Sequence, residues 1–316
     1  MVSGTGSAAA DAGAPIPPSQ DPRALTAGVW DDNLNYTRVH EFRSSVQQSR
    51  TSGVLPFGNE EFEAAHQKFS ASRSARQQLD VALMIDTTGS MGDEIAYLQR
   101  EFSDLSRSIE SAYPNAAQRW ALVVYRDQGD EYVANAFNFV EDKETFREKL
   151  AKQSAGGGGD TPEAPEAAFA ALNQLEWRTA PDVARLVFWV ADAPHHDGAA
   201  AALADGVRKT RDLDVHVYPV ASSGVDELTE LSMRSAAQLT GGRYLFLTDD
   251  SGIGGAHKEP TIPCYFVTTL KNAITRVVDI ELSGTYREPL AAQIIRTGGD
   301  PKNGACKLAD ETLQVF

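Results

Sequence analysis

Apolar positions recur along this chain at two spacings, and the switch between them marks its elements. Residues 81–85 form a short apolar run with the length and composition of a strand buried on both faces. After it, Ile95, Leu98, Phe102, Leu105 and Ile109 recur at three and four residues, which places them on one helical face against a sheet. Residues 120–125 and 185–191 repeat the buried-strand pattern, and 132–140, less regular, reads as an edge strand antiparallel to its neighbour. A glycine-rich stretch at 155–163 leads into an Ala-rich helix predicted to run to about Trp177. Helix then strand follows twice more, 199–211 to 215–221 and 226–239 to 243–247, with Gly241 and Gly242 as a turn. A last helix is predicted over about 264–282, with Phe266, Leu270, Ile274 and Val277 on one side. The alternation predicts an α/β fold: a doubly wound, mostly parallel sheet with helices on both faces and one antiparallel edge strand.

The flanks read differently. Residues 1–24 are rich in Ala, Gly, Ser and Pro and are expected to be a flexible leader. Residues 25–77 are mixed, with local turns and a short helix, and are expected to pack on the core domain at 78–283; residues 284–316 form a C-terminal extension. At 316 residues, one α/β domain with extensions fits the length.

Composition narrows the partners. The net charge of −15 argues against nucleic acid, which needs a basic surface, and favours cations and basic protein surfaces. No apolar stretch is long enough to span a bilayer, and the first residues lack the basic and apolar regions of a signal peptide, so the chain as written reads as soluble. Cys264 and Cys306 are too few for a disulfide scaffold and wrongly spaced for a zinc ribbon; one disulfide and two buried thiols both remain open.

Candidate chemistry gathers at predicted strand ends. The first apolar run stops at Asp86, and Thr88 and Ser90 alternate with it through a turn that can aim their oxygens at one point. A carboxylate with two hydroxyls is a partial shell for a hard divalent cation, although Thr88 or Ser90 capping the next helix would leave the same trace. The strand at 185–191 runs into Asp192, and the glycine loop carries Asp160 and Thr161. In a doubly wound sheet ligands bind outside the carboxyl ends of the strands, near the switch point, where these residues belong. The loop lacks the G-K-[ST] ending of a phosphate loop, so its glycines read as allowing close backbone approach. Arg126, Asp127 and Asp130 read as an internal ion pair or turn ordering the site loops. Asp249, Asp250 and Ser251 read as a loop turn rather than a second cation site, and zinc at His195, His196 and Asp197 lacks a well-spaced third soft ligand.

Asp86, Thr88, Ser90, Asp160, Thr161 and Asp192 together resemble the metal-ion-dependent adhesion site of von Willebrand factor type A domains, over about 78–283. The runs TGSM, YRD, GGGD-x-PEA and DAP look like a bacterial subgroup of that family, and LTAGVWDDN and the 248–270 region look like parts of its extracellular members. The resemblance implies the doubly wound fold and one divalent metal, Mg²⁺ or alternatively Mn²⁺ or Ca²⁺. The ligands would be Asp86, Thr88, Ser90, Asp192 and either Asp160 or Thr161, since here an acid follows the glycines where many members have Thr. It implies binding rather than turnover: the metal keeps an open position that an Asp or Glu of a partner protein completes. Thr87, Met91, Gly157, Gly158, His195 and His196 would form the rim. It also implies an extracellular, periplasmic or cell-surface location, with the cytoplasm as the alternative. Two other readings compete: a metal-assisted hydrolase using bound water, with Asp127 or His195 as base, and a scaffold whose site is vestigial.

Overall fold

The structure, a computed structural model, describes residues 24–71, 73–159 and 161–315. The expected leader therefore lies outside the described residues except for Ala24, and Asp160 lies outside them too.

Chain order is β1 (Thr26–Trp30), α1 (Tyr36–Ser49), α2 (Asn59–Phe69), β2 (Gln78–Asp86), α3 (Gly92–Ala112), β3 (Ala117–Tyr125), β4 (Ala134–Val140), α4 (Lys143–Ala151) and α5 (Pro165–Leu172). It continues with β5 (Val183–Ala191), α6 (Ala200–Asp212), β6 (His216–Ala221), α7 (Glu227–Thr240), β7 (Tyr244–Thr248), β8 (Tyr265–Thr269) and α8 (Leu270–Ser283). Three short strands, β9 (Arg296–Gly298), β10 (Ala305–Lys307) and β11 (Thr312–Gln314), close the chain. Among the described residues, nine strands form one sheet in the order β4-β3-β2-β5-β6-β7-β1-β8-β9. Its centre, β3-β2-β5-β6-β7, is parallel, and β4 is the predicted antiparallel edge.

The chain leaves β2 towards β3 on one side and returns to β5 on the other, so β2 is where the strand order reverses. Alternation along β2 feeds two cores. Leu79, Val81, Leu83 and Ile85 join α3, α4 and α8 on one face; Ala82 and Met84 join α2, α5, α6 and α7 on the other. Both faces are covered, which explains the continuous apolar run.

Four differences from the sequence reading have physical causes. First, β1 is built into the sheet, antiparallel to both β7 and β8, rather than only packed on it. Gly28 permits this, because a Cβ there would lie 2.1 Å from the Phe246 ring. Second, the predicted helix over 264–282 is a strand followed by a helix: its β-branched and aromatic start extends as β8, and the Thr269 side chain then caps α8 by accepting from Asn272 N at 3.3 Å. Third, the Ala-rich helix stops at Leu172, where the Asn173 side chain turns aside to donate to Gly206 O. Fourth, α4 carries mostly charge and buries Phe146 and Leu150, leaving little periodic signal. The extension at 284–316 returns to the sheet edge through β9, antiparallel to β8, and Cys264 and Cys306 form a disulfide with their Cα atoms 6.0 Å apart. Among the described residues no helix is long and apolar enough to cross a membrane.

Candidate metal site

At the carboxyl end of β2, Asp86 is enclosed by its neighbours. Its Oδ1 accepts from Thr88 N at 2.9 Å and from Thr88 Oγ1 at 2.7 Å, an Asx-type turn that lets the chain leave the strand sharply. Its Oδ2 is buried and has no hydrogen-bond partner among the described residues. Asp192, at the end of β5, and Glu163, after the glycine loop, each bury one carboxylate oxygen in the same state, Oδ1 and Oε2 respectively. The Ser90 hydroxyl lies beside the Asp192 carboxylate and favours its charged form. Backbone ties hold these ends together: Glu163 N donates to Pro194 O at 2.8 Å, and Thr87 N to Tyr125 O at 2.9 Å.

Crowded acids in a dry setting resist ionisation. Burial, and then the Asp192 charge, push the Asp86 carboxyl up to about 7, against the hydrogen bonds from Thr88 that favour its charge. Glu163 rises to about 8, through burial first and then repulsion from Asp86, Asp127, Asp192 and Asp130. Burial also raises Asp192 and Glu94. Among the described residues, none of these four carboxylates is part of an ion pair with Lys or Arg.

The glycine loop makes the close approach that its sequence allows. Gly157 and Gly158 have φ of +74° and +60°, and Gly158 N donates to Asp130 Oδ2 at 3.0 Å. A Cβ on Gly158 would lie 2.8 Å from Thr88 Cβ, so the loop rests directly on the first turn. Arg126 braces this contact by bonding backbone, its Nε to Thr87 O at 3.2 Å and its Nη2 to Ser154 O at 3.0 Å. Apart from a 3.4 Å contact with Glu131, it orders loops through carbonyls rather than as an ion pair with Asp127 or Asp130.

Of the expected ligands, Asp86, Thr88, Ser90 and Asp192 are brought together, Thr161 is solvent-exposed, and Asp160 lies outside the described residues. Two acids were missed. Glu163, read in sequence only as the end of the glycine-rich stretch, points towards the acids; its signal is an acid just past a loop expected to reach the site. Glu94 stands in the first turn of α3, where the helix dipole alone would account for an acid, yet it is 1% exposed and its Oε1 accepts from Ser223 Oγ at 3.3 Å. The expected rim also changes. Thr87 and Met91 are buried; Thr87 is tied to Tyr132 OH at 2.6 Å, and Met91 fills the core. His195 turns inward to Gly53 O at 2.8 Å, while half-buried His196 pairs with Asp127 at 2.6 Å. With Asp197 taken by Ser52, these three residues diverge and make no zinc site, and neither Asp127 nor His195 is a free base for hydrolysis. The turn at Asp249 and Asp250 is satisfied by His257 and Arg296.

Among the described residues no three Asp, Glu, His or Cys side chains form a cage by themselves. The enclosed, unpartnered carboxylate oxygens of Asp86, Asp192, Glu163 and Glu94 suit a hard cation better than a neutral ligand.

Fold and site therefore define an α/β domain with an acidic cluster at the switch point of its sheet. Residues 80–248, more than half of the chain, match the family described as von Willebrand factor A domain, and the chain belongs to it. Domains of this class serve protein interaction and adhesion. A putative ariadne-like RING finger protein of Acanthamoeba polyphaga mimivirus is 32% identical over 121 residues, which are 37% of this chain and 11% of that protein. The chain thus spans about a tenth of that relative's length. The crystal structure of the conserved hypothetical protein BatB from Bacteroides thetaiotaomicron overlaps 64% of this chain and 97% of its own, at 13% identity and a TM-score of 0.43.

Proposed function

We propose that this domain is a divalent-cation-dependent protein-binding module whose partner presents an Asp or Glu. The observation that supports the reading is that Asp86 Oδ2, Asp192 Oδ1 and Glu163 Oε2, on neighbouring loops, are each buried and unpartnered among the described residues. Asp86, Thr88, Ser90 and Asp192 would hold Mg²⁺, or Mn²⁺ or Ca²⁺, with Glu163 and the loop residues Asp160 or Thr161 supplying the remaining oxygens. When bound, the cation supplies the missing positive charge and an open position for a further carboxylate. Thr88 fixes the Asp86 carboxylate by two hydrogen bonds, so the protein would meet the ion with that carboxylate already oriented. The loop stiffened by Arg126 and half-buried His196 border the opening and would choose the partner.

The Cys264–Cys306 disulfide supports an oxidising compartment, hence an extracellular, periplasmic or cell-surface protein of the bacterial subgroup, with the cytoplasm as the alternative. The test is calorimetric titration of Mg²⁺ and Mn²⁺ into the chain, followed by a pull-down from the native source with Mg²⁺ and with EDTA. Partner capture that survives EDTA, or an unaltered Asp86→Ala variant, would overturn the proposal.

A further inference from the structure

Strand β4 is one edge of the nine-stranded sheet, and among the described residues no strand pairs with its outer side. It bonds β3 antiparallel, and just before it Arg126 N donates to Val133 O at 3.0 Å. Ladder bonds alternate, so Asn135 and Phe137 turn their N–H and C=O towards Val124 and Leu122, while Ala134 and Ala136 present theirs outward. The register shifts between Trp120 and Leu122, where Asn138 Oδ1 accepts from Phe139 N at 2.8 Å and from Glu176 N at 3.1 Å, so the regular open stretch ends there.

Exposed edges are usually blunted by brevity, charge or proline. The opposite edge follows that rule, since β9 has three residues and carries Arg296. Strand β4 does not. Its sequence, ANAFNFV, holds no charge and no proline, and Asn135, Ala136 and Asn138 are exposed. Charge lies beyond its ends instead: from 127 to 142 the chain carries five acids and no Lys or Arg. Asp130 and Glu131 precede the strand, and exposed Glu141 and Asp142 follow it. The cations close by have partners. Arg119, whose charge reaches Glu141, makes two hydrogen bonds to Asp80, Arg126 bonds carbonyls, and Lys143 pairs with Glu110 at 2.6 Å. A second copy laid on β4 would set acids against acids in either direction: antiparallel, 130–131 meets 141–142, and parallel, each pair meets itself.

We propose that β4 receives an extended segment of a partner protein that carries Lys or Arg just beyond both ends of the paired residues. Backbone hydrogen bonds at Ala134 and Ala136 would hold it, and the acids at the two ends would select it. Half-buried Phe137 gives its alternate side chains an apolar neighbour. This docking does not depend on the cation.

Fluorescence anisotropy of the full chain with Mg²⁺ tests this. The probes are a labelled peptide of alternating threonine and valine with paired lysines at each end, and an analogue with paired serines there. The lysine peptide should saturate, bind about tenfold or more tightly than the serine one, and weaken as salt rises. Amide exchange at Ala134 and Ala136 should slow in its presence. Ala136→Pro removes an outward N–H and leaves the ladder to β3 intact, so it should cut affinity by about tenfold at an unchanged melting temperature. Ala136→Lys should weaken the lysine peptide through repulsion. Equal binding of the two peptides, no saturation by the lysine peptide, exchange protection confined to other strands, or wild-type affinity in both variants would overturn the proposal. Self-association of the chain that slows the same amides would overturn it too, in favour of a second copy. Should Ala136→Pro fail to fold, the peptide comparison and Ala136→Lys decide it.

Discussion

Asp86 sits at the end of a strand with one oxygen held by Thr88 and the other facing its fellow acids, so its charge is useful to a ligand and costly to the empty fold. Asp86→Asn should act in two directions at once. Cation affinity should fall by about a hundredfold or more, while the metal-free protein at pH 8 should gain on the order of 1–3 kcal/mol, because a buried uncompensated charge is gone. Calorimetry and denaturant melts with EDTA check the two halves. Glu163 and Thr161 make a sharper pair. The enclosed acid and the exposed hydroxyl stand two residues apart, so Glu163→Gln should weaken Mg²⁺ by about tenfold to a hundredfold, the range seen when a supporting group of a metal site is lost. Thr161→Ala should cost far less if Glu163 is the loop's contribution. Equal losses would assign the loop's role to both.

At the scale of elements, the glycine loop and the disulfide are the features on which the site and the sheet edge depend. Gly158→Ala forces a side chain into a left-handed backbone and against Thr88, and should cost about 1–3 kcal/mol along with cation affinity. A melt and a Mg²⁺ titration of the same variant read both. Cys306→Ser unties the extension from Cys264 while leaving the β8–β9 pairing; with the two cysteines 42 positions apart, closure of that loop is worth about 2–4 kcal/mol, so the melting temperature should drop to that of the wild type under reductant. Legibility in the sequence followed burial. Strands β2 and β5, buried on both faces, announce themselves as apolar runs, and Asp86 and Asp192 are conspicuous because each interrupts one. The short strand β1 has no such contrast: it carries a glycine beneath an aromatic ring and takes its place only through partners more than two hundred residues away in sequence. The start of β8 merges with α8 because its aromatic and branched residues continue the helix's apolar spacing. Glu94 was illegible for another reason, since an acid at a helix start satisfies a local rule whichever way its side chain points, and Glu163 stood only as the end of the glycine-rich stretch.

Across the whole molecule, two buried acid clusters give opposite dependences on pH. At the far end of the sheet, Glu281 is held well below the usual carboxylate range by Arg73, His216 and Arg243, enough to outweigh its burial. Its folded value is depressed, so its stabilisation is complete above about 4.5 and is lost as pH falls through the folded value. The metal-site acids work the other way. Asp86 and Glu163 have folded values raised from 3.8 and 4.5 to about 7 and about 8. The folded state therefore keeps protons that the unfolded chain has released, and stability declines as pH rises from about 4 to about 8. With EDTA, the melting temperature should peak at mildly acidic pH and decline on both sides. A cation offsets the alkaline loss, so the increment from saturating Mg²⁺ should be larger at pH 8 than at pH 5.5, and should vanish in Asp86→Asn. The net charge of −15 would add a general repulsion that also grows with pH, but salt screens that term at any site. Melts at matched ionic strength with NaCl in place of MgCl₂ separate the two: an equal increment from NaCl would mean that overall charge sets the alkaline limb, and an increment confined to Mg²⁺ would place its origin at Asp86 and Glu163.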